Sequence, residues 1–107
     1  MSELKLSAEL PDFMREMEAS LPSEEHADLR VQIPGLTIVD RCRCGDSFCG
    51  MFYTAPPPEG SWGPGHENVT LEVTKGDVIL DVVERKIVAV EVLDRDDVRA
   101  VIHRLLP

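Results

Sequence analysis

Residues 69 to 93 contain three β-rich runs, Val-Thr-Leu-Glu-Val (69–73), Asp-Val-Ile-Leu-Asp-Val-Val (77–83) and Lys-Ile-Val-Ala-Val-Glu-Val-Leu (86–93). Only the polar turns Thr74-Lys75-Gly76 and Glu84-Arg85 separate them. Runs of β-branched residues so closely joined fold most simply as an antiparallel meander. Val69, Leu71 and Val73, then Val78, Leu80 and Val82, then Val88, Val90 and Val92 form alternating sets that can face one core. Asp94 follows as a helix cap, with Asp96 and Asp97 in the first turn, Arg104 in the last, and Val98, Val101, Ile102 and Leu105 as a packing stripe.

A sheet needs something to cover it, and the N-terminal region supplies a helix. Leu10, Phe13, Met14, Met17 and Leu21 recur at the spacing of one helical face between Ser7 and Leu21; Ser7 can cap it, and Pro11 sits in the first turn. Leu-Pro-Ser-Glu-Glu-His-Ala-Asp-Leu (21–29) reads as a polar connection, and Pro34-Gly35 as a turn between two extended stretches. Residues 36 to 54 read as a β-hairpin, with a strand over 36–44, turn chemistry at Gly45-Asp46-Ser47, and a second strand at Phe48–Thr54. Residues 55–66 then place four prolines and three glycines in 12 positions, a long loop of the kind that often carries function. The expectation is one α+β domain over residues 1–107, an antiparallel sheet of about five strands with an N-terminal and a C-terminal helix, the meander and last helix occupying 69–106. At this length the chain can bury a core without disulfides or metal.

The formal charge of −9 is concentrated in residues 1–28, where eight acids face Lys5 and Arg15, a net of −6 that leaves −3 for the remaining 79 positions. Such a balance counts against nucleic-acid binding, which requires Lys and Arg to neutralise phosphate. It suits a basic protein partner, or simple solubility. No apolar run is long enough to span a membrane, and the acids in Met-Ser-Glu-Leu-Lys-Leu-Ser-Ala-Glu-Leu are unlike a signal peptide, so the chain reads as soluble and cytoplasmic.

All three cysteines lie in Cys-Arg-Cys-Gly-Asp-Ser-Phe-Cys, residues 42–49. An odd number in a reducing compartment means free thiols or a metal site. On a strand, Cys42 and Cys44 share a face roughly 6–7 Å apart. A two-residue turn puts Cys42 opposite Cys49, and a four-residue turn puts Cys44 there; both bring three sulfurs within reach of one ion. With His66 from the end of the loop they would complete a Cys3His zinc shell and tie the loop down. Alternatively the thiols continue an apolar face with Leu36, Ile38, Met51 and Tyr53, or Cys49 acts in redox or nucleophilic chemistry under the field of Arg41 and Arg43. A thiol-protease pairing of Cys49 with His66 or His26 has nothing in the sequence to place it. His103 lies off the apolar stripe and reads as solvated.

Asp81 and Glu91 each interrupt an otherwise apolar run, which is the pattern of paired carboxylates for acid–base work or a hard cation; Asp77, at a strand start, reads as solvent decoration. Trp62, the single tryptophan, with Pro57 and Pro58 in the loop, is the candidate anchor for a protein partner. No phosphate loop, nucleophile elbow or metalloprotease motif occurs.

Residues 77–98, with Asp81, the turn at Glu84-Arg85-Lys86 and the triplet Glu91-Val92-Leu93, resemble the second half of DUF2283, a family of short bacterial domains of unknown function. The resemblance implies a hairpin followed by a short helix and no particular activity. Three functional readings follow: an acidic protein-binding module without enzymatic activity, a structural zinc domain built on Cys42, Cys44, Cys49 and His66, or a thiol protein acting through Cys49. The cofactor is accordingly none, or one structural zinc.

Overall fold

The computed structural model describes residues 3–21 and 24–107; Pro22 and Ser23 of the expected polar connection lie outside the described residues. It is an α+β fold with two antiparallel sheets. The smaller pairs β1 (Leu4–Lys5) with β2 (Thr37–Ile38). The larger orders its strands β3 (Asp40–Arg41), β4 (Phe52–Tyr53), β7 (Lys86–Leu93), β6 (Asp77–Val83) and β5 (His66–Thr70). No helix among the described residues is long and apolar enough to cross a membrane.

The meander forms, but its first strand, β5, covers His66–Thr70 rather than 69–73, so Leu71 and Val73 follow the strand instead of lying in it. Glu84 and Arg85 both take positive φ, the paired left-handed geometry of a two-residue hairpin turn, and connect β6 to β7. Val78, Leu80 and Val82 are fully buried opposite Val92, Val90 and Ile87. Ile87 replaces Val88 on the core face because the ladder slips by one residue: Asp81 pairs with Ala89 and Val82 with Ile87, so Val88 is extra. Its carbonyl accepts hydrogen bonds from the N–H groups of Thr54 and Ala55.

Among the described residues, four helices pack on this inner face of the sheet. The expected helix over 7–21 is broken into α1 (Leu6–Glu9) and α2 (Pro11–Ser20), with Leu10 between them in a non-helical conformation. Pro11 has no N–H to continue the first helix, so it starts the second instead, and Ser7 lies inside α1 rather than capping it. The apolar face survives the break: Leu6, Leu10, Phe13, Met17 and Leu21 join one core with Phe52, Leu80 and Val90. The segment read as a polar connection and an extended stretch is instead helical, with α3 at Ala27–Arg30 flanked by single 3-10 turns at Glu24–His26 and Ile33–Gly35. Leu29 and Ile33, four residues apart, are both fully buried. Gln32 fixes this segment to the meander by donating to the Arg85 carbonyl at 2.8 Å and accepting from the Ile87 N–H at 2.9 Å.

The last helix, α4, runs from Asp96 to Leu105 and buries Val98 and Ile102. Asp94 does not cap it. That residue has φ 58° and the cap position is Arg95, whose guanidinium, 5% exposed, makes two 2.8 Å bonds to Glu16 and two 3.1 Å bonds to Asp97 while lying 5.3 Å from the centre of the Phe13 ring. This ion pair joins α2 to the start of α4. Gly76 must be glycine for the same corner to close: its φ is 67°, and a Cβ there would come within 2.4 Å of the Leu93 carbonyl.

Candidate functional site

The hairpin is present but shorter than its sequence suggests. Only Asp40 and Arg41 of the expected 36–44 strand pair with Tyr53 and Phe52, and two further bonds, Val39 N–H to the Tyr53 carbonyl at 2.9 Å and Cys42 N–H to the Met51 carbonyl at 3.0 Å, close the ladder at its ends. This register is that of the four-residue turn, which would oppose Cys44 and Cys49. Beyond Cys42 the chain leaves the sheet. It turns over Asp46 to Cys49, where the Cys49 N–H bonds the Asp46 carbonyl at 3.2 Å, and then runs beside the end of β7, with Gly50 N–H on the Val92 carbonyl at 2.7 Å and Cys49 bridged to Leu93.

The sulfurs nonetheless converge. Cys42, Cys44 and Cys49 have Sγ atoms all within 4.8 Å of one another, graded from exposed at Cys44 to buried at Cys49. Backbone N–H groups two residues further along point at two of them. That of Asp46, together with hydrogen bonds from Cys42 and Cys49, lowers the Cys44 thiol below its ordinary range. Burial pushes Cys49 up to about 11, against the pull of the Met51 N–H. Arg41 and Arg43 donate to the carbonyls of Leu106 and Pro107 at the end of α4, and Arg41 also to the Cys42 carbonyl at 3.0 Å, rather than to the sulfurs. The loop is seated on α4, where Gly50 packs so closely on Arg99 that an added Cβ would lie 3.2 Å from its backbone. His103 is part of this seat: burial first, then the charges of Arg41 and Arg99, lower its pKa, and a hydrogen bond to the Cys49 backbone acts the other way.

His66 does not join the sulfurs. It opens β5, on the far edge of the sheet, and its Nε2 lies 2.8 Å from Asp81 Oδ1. There a second cluster appears, on the outer face that the helices leave uncovered. Asp81 is only 3% exposed. Its Oδ1 also accepts from Asn68 Nδ2 at 2.7 Å, and the same amide lies 3.4 Å from Glu91 Oε2. Burial, then a hydrogen bond with Asp81 and that residue's charge, pushes the Glu91 carboxyl up to about 7, with His66 opposing. The two acids singled out in the sequence therefore lie together, and Glu91 holds its proton well above the ordinary carboxylate range.

Trp62 is brought to this face by the Pro/Gly loop, with ring centres 6.2 Å from Tyr53 and 6.5 Å from His66; Pro57 and Pro58 are exposed on the same loop. Tyr53 stands between the two clusters: after burial, the charges that raise its phenol are those of Cys42, Asp40, Asp81 and Cys49. Asn68, Tyr53 and His103 were not evident as site residues in the sequence. The signal for Asn68 was its two-residue spacing from His66, obscured by starting the strand at Val69. Comparison with family models, with curated proteins and with solved structures gave no match for this chain.

Proposed function

We propose that the protein is a small binding module, without enzymatic activity, whose cysteine loop is held by one structural zinc ion. The observation that carries this reading is the convergence of three sulfurs within 4.8 Å on a loop whose own N–H groups point at two of them. With Zn–S bonds of about 2.3 Å, a tetrahedral site holds its sulfurs about 3.8 Å apart, so closure takes only a small contraction. The Asp46 N–H favours the thiolate of Cys44, the form that binds metal, whereas burial keeps the Cys49 thiol protonated until an ion takes the place of its proton. Thiols that merely fill a core would not leave Cys44 exposed. The fourth ligand is not His66, which Asp81 engages, and the open position falls to water or to a group from the α4 side of the loop.

Native mass spectrometry of protein grown with zinc tests the reading. One zinc per chain, lost on denaturation and on Cys44→Ser, is the expected result. Zinc in 100-fold excess over its Kd adds about 2.7 kcal/mol of stability, so a chelator should lower Tm by roughly 10–20 °C without unfolding the separate core. A metal-free chain with three free thiols refutes the site, and a native chain carrying a disulfide would make the loop a redox element instead.

A further inference from the structure

We infer that the zinc site is completed by a second copy of this chain: Cys44 bridges two ions across a two-fold axis, so that each zinc takes Cys42, Cys44 and Cys49 of its own chain and Cys44 of the second copy. This rests on the zinc reading and adds the source of the fourth ligand. Structural zinc is almost always held by four side-chain donors, and the three sulfurs that converge here are one too few. Water in the remaining position is the arrangement of a catalytic zinc, not of a structural one. The chain has no further cysteine to offer and only three histidines. His66 is on Asp81, His26 lies 3.3 Å from an Arg85 nitrogen, and His103 is held on the Cys49 backbone. Among the described residues, neither an imidazole nor a carboxylate joins the three sulfurs.

A second copy supplies what is missing. A thiolate can bind two ions at once, so the six cysteines of two chains give each of two zinc ions four sulfurs when two of the six are shared. In a two-fold pair the shared sulfurs belong to the same residue of each chain, and that residue has to reach outwards. Cys44 is the exposed one, whereas Cys42 is half-buried and Cys49 is buried where Gly50 packs on α4. Residues 43–48 are all exposed, so no other part of the described chain covers the tip of the loop. Phe48, on the same tip, leaves 46% of its surface in water, and pairing would cover it.

Charge permits the approach. The acids are concentrated in residues 1–28, whereas residues 42–49 carry one arginine and one aspartate. Two zinc ions and six thiolates, four positive charges against six negative, leave −2 for the cluster. Arg41, Arg43 and Arg99, whose charges converge on His103 beside Cys49, are placed to offset it. The tip of one loop buries too little surface to hold two chains together by itself, so pairing requires the metal.

Native mass spectrometry and light scattering on the full chain test this, with zinc and again after a chelator, in a phosphine reductant that prevents disulfide-linked pairs. The expected result is a dimer carrying two zinc ions that reverts to a metal-free monomer when the zinc is removed. Zinc X-ray absorption should show four sulfurs around each ion and the second zinc as a near neighbour. Phe48→Glu, which keeps every sulfur and sets a negative charge from each chain against a negative cluster, should raise the dimer Kd roughly tenfold. A monomer with one zinc on three sulfurs would overturn the bridge and leave the zinc reading standing, whereas a chain without zinc would remove both. A dimer that survives zinc removal, oxygen or nitrogen as the fourth neighbour, or a dimer indifferent to Phe48→Glu would each overturn the proposal.

Discussion

Replacing Glu91 by glutamine should stabilise this protein at pH 8 and do much less at pH 5. In the fold the carboxyl titrates near 7, against an ordinary 4.5, because it is partly buried beside Asp81. Below pH 4.5 the group is neutral in folded and unfolded chains alike. Between 4.5 and 7 the folded chain holds the extra proton, so the free energy of unfolding falls as pH rises, and above 7 the whole penalty of an ionised Glu91 is present. A difference of 2.5 pH units corresponds to at most about 3 kcal/mol, and solvent access to the carboxyl reduces this to about 1–2 kcal/mol. Glutamine stays neutral and can donate to Asp81 Oδ2, so the variant should gain that amount at pH 8, roughly 5–15 °C in Tm, and only a few tenths of a kcal/mol at pH 5. Paired urea titrations at the two pH values measure the difference. Asp28 and Asp97, held below their usual range chiefly by Arg85 and Arg95, lose their contribution only as pH drops through the acid range, and both proteins share them. An equal effect at both pH values, or a less stable variant at pH 8, would refute this account of Glu91.

Other perturbations test the frame that holds these sites. Gly76→Ala must place a Cβ at positive φ and within 2.4 Å of the Leu93 carbonyl, so a loss of about 2–4 kcal/mol in chemical denaturation is expected. A loss under about 1 kcal/mol would mean that the turn relaxes freely. Arg95→Met removes the cation shared by Glu16 and Asp97 and should cost about 2–4 kcal/mol at pH 7. Part of that loss should return in the double variant Arg95→Met with Glu16→Gln, because one stranded charge is removed; no recovery would argue against the pair as the cause.

Physical regularity decides what could be read ahead of the structure. The meander was legible because turn chemistry and period-two alternation agree over residues 77–93, and the five-stranded sheet follows once the hairpin joins it, whereas the first strand lies at His66–Thr70 rather than 69–73. Alternation cannot reveal an inserted residue, so Val88 was assigned to the core face that Ile87 occupies. Leu29 and Ile33 had the spacing of a helical face, but the acids and Pro34 around them hid two short turns and α3. The cysteine segment offered two workable registers, and the observed one is the four-residue turn. The convergence of its sulfurs comes from the loop rather than from strand pairing, because the ladder stops at Cys42 and Met51. His66 was assigned to the cysteines because it was near in sequence. Its place on the opposite edge strand depends on pairing between residues 66–70 and 79–83, which local spacing does not encode.

The position of Asp81 is the strongest reason to look for function on the uncovered face. In a sheet with one face packed and one face open, the alternate residues of each strand should be either core or solvated. Asp81 is neither, being 3% exposed on the open side, immediately beside the bulge and in the row that Trp62 spans. Stability alone would favour an apolar residue there, since a buried carboxylate with one unpartnered oxygen is costly. A side chain that breaks the local rule without an internal gain marks a place where another constraint acts. Its nearest neighbours are Glu91, His66 and Asn68, and Tyr53 connects that row to the cysteine loop. A metal that fixes the loop would therefore also bear on Tyr53 and the Trp62 ring packed against it, so Trp62 fluorescence should change when zinc is removed if the two places are linked and remain unchanged if they are independent.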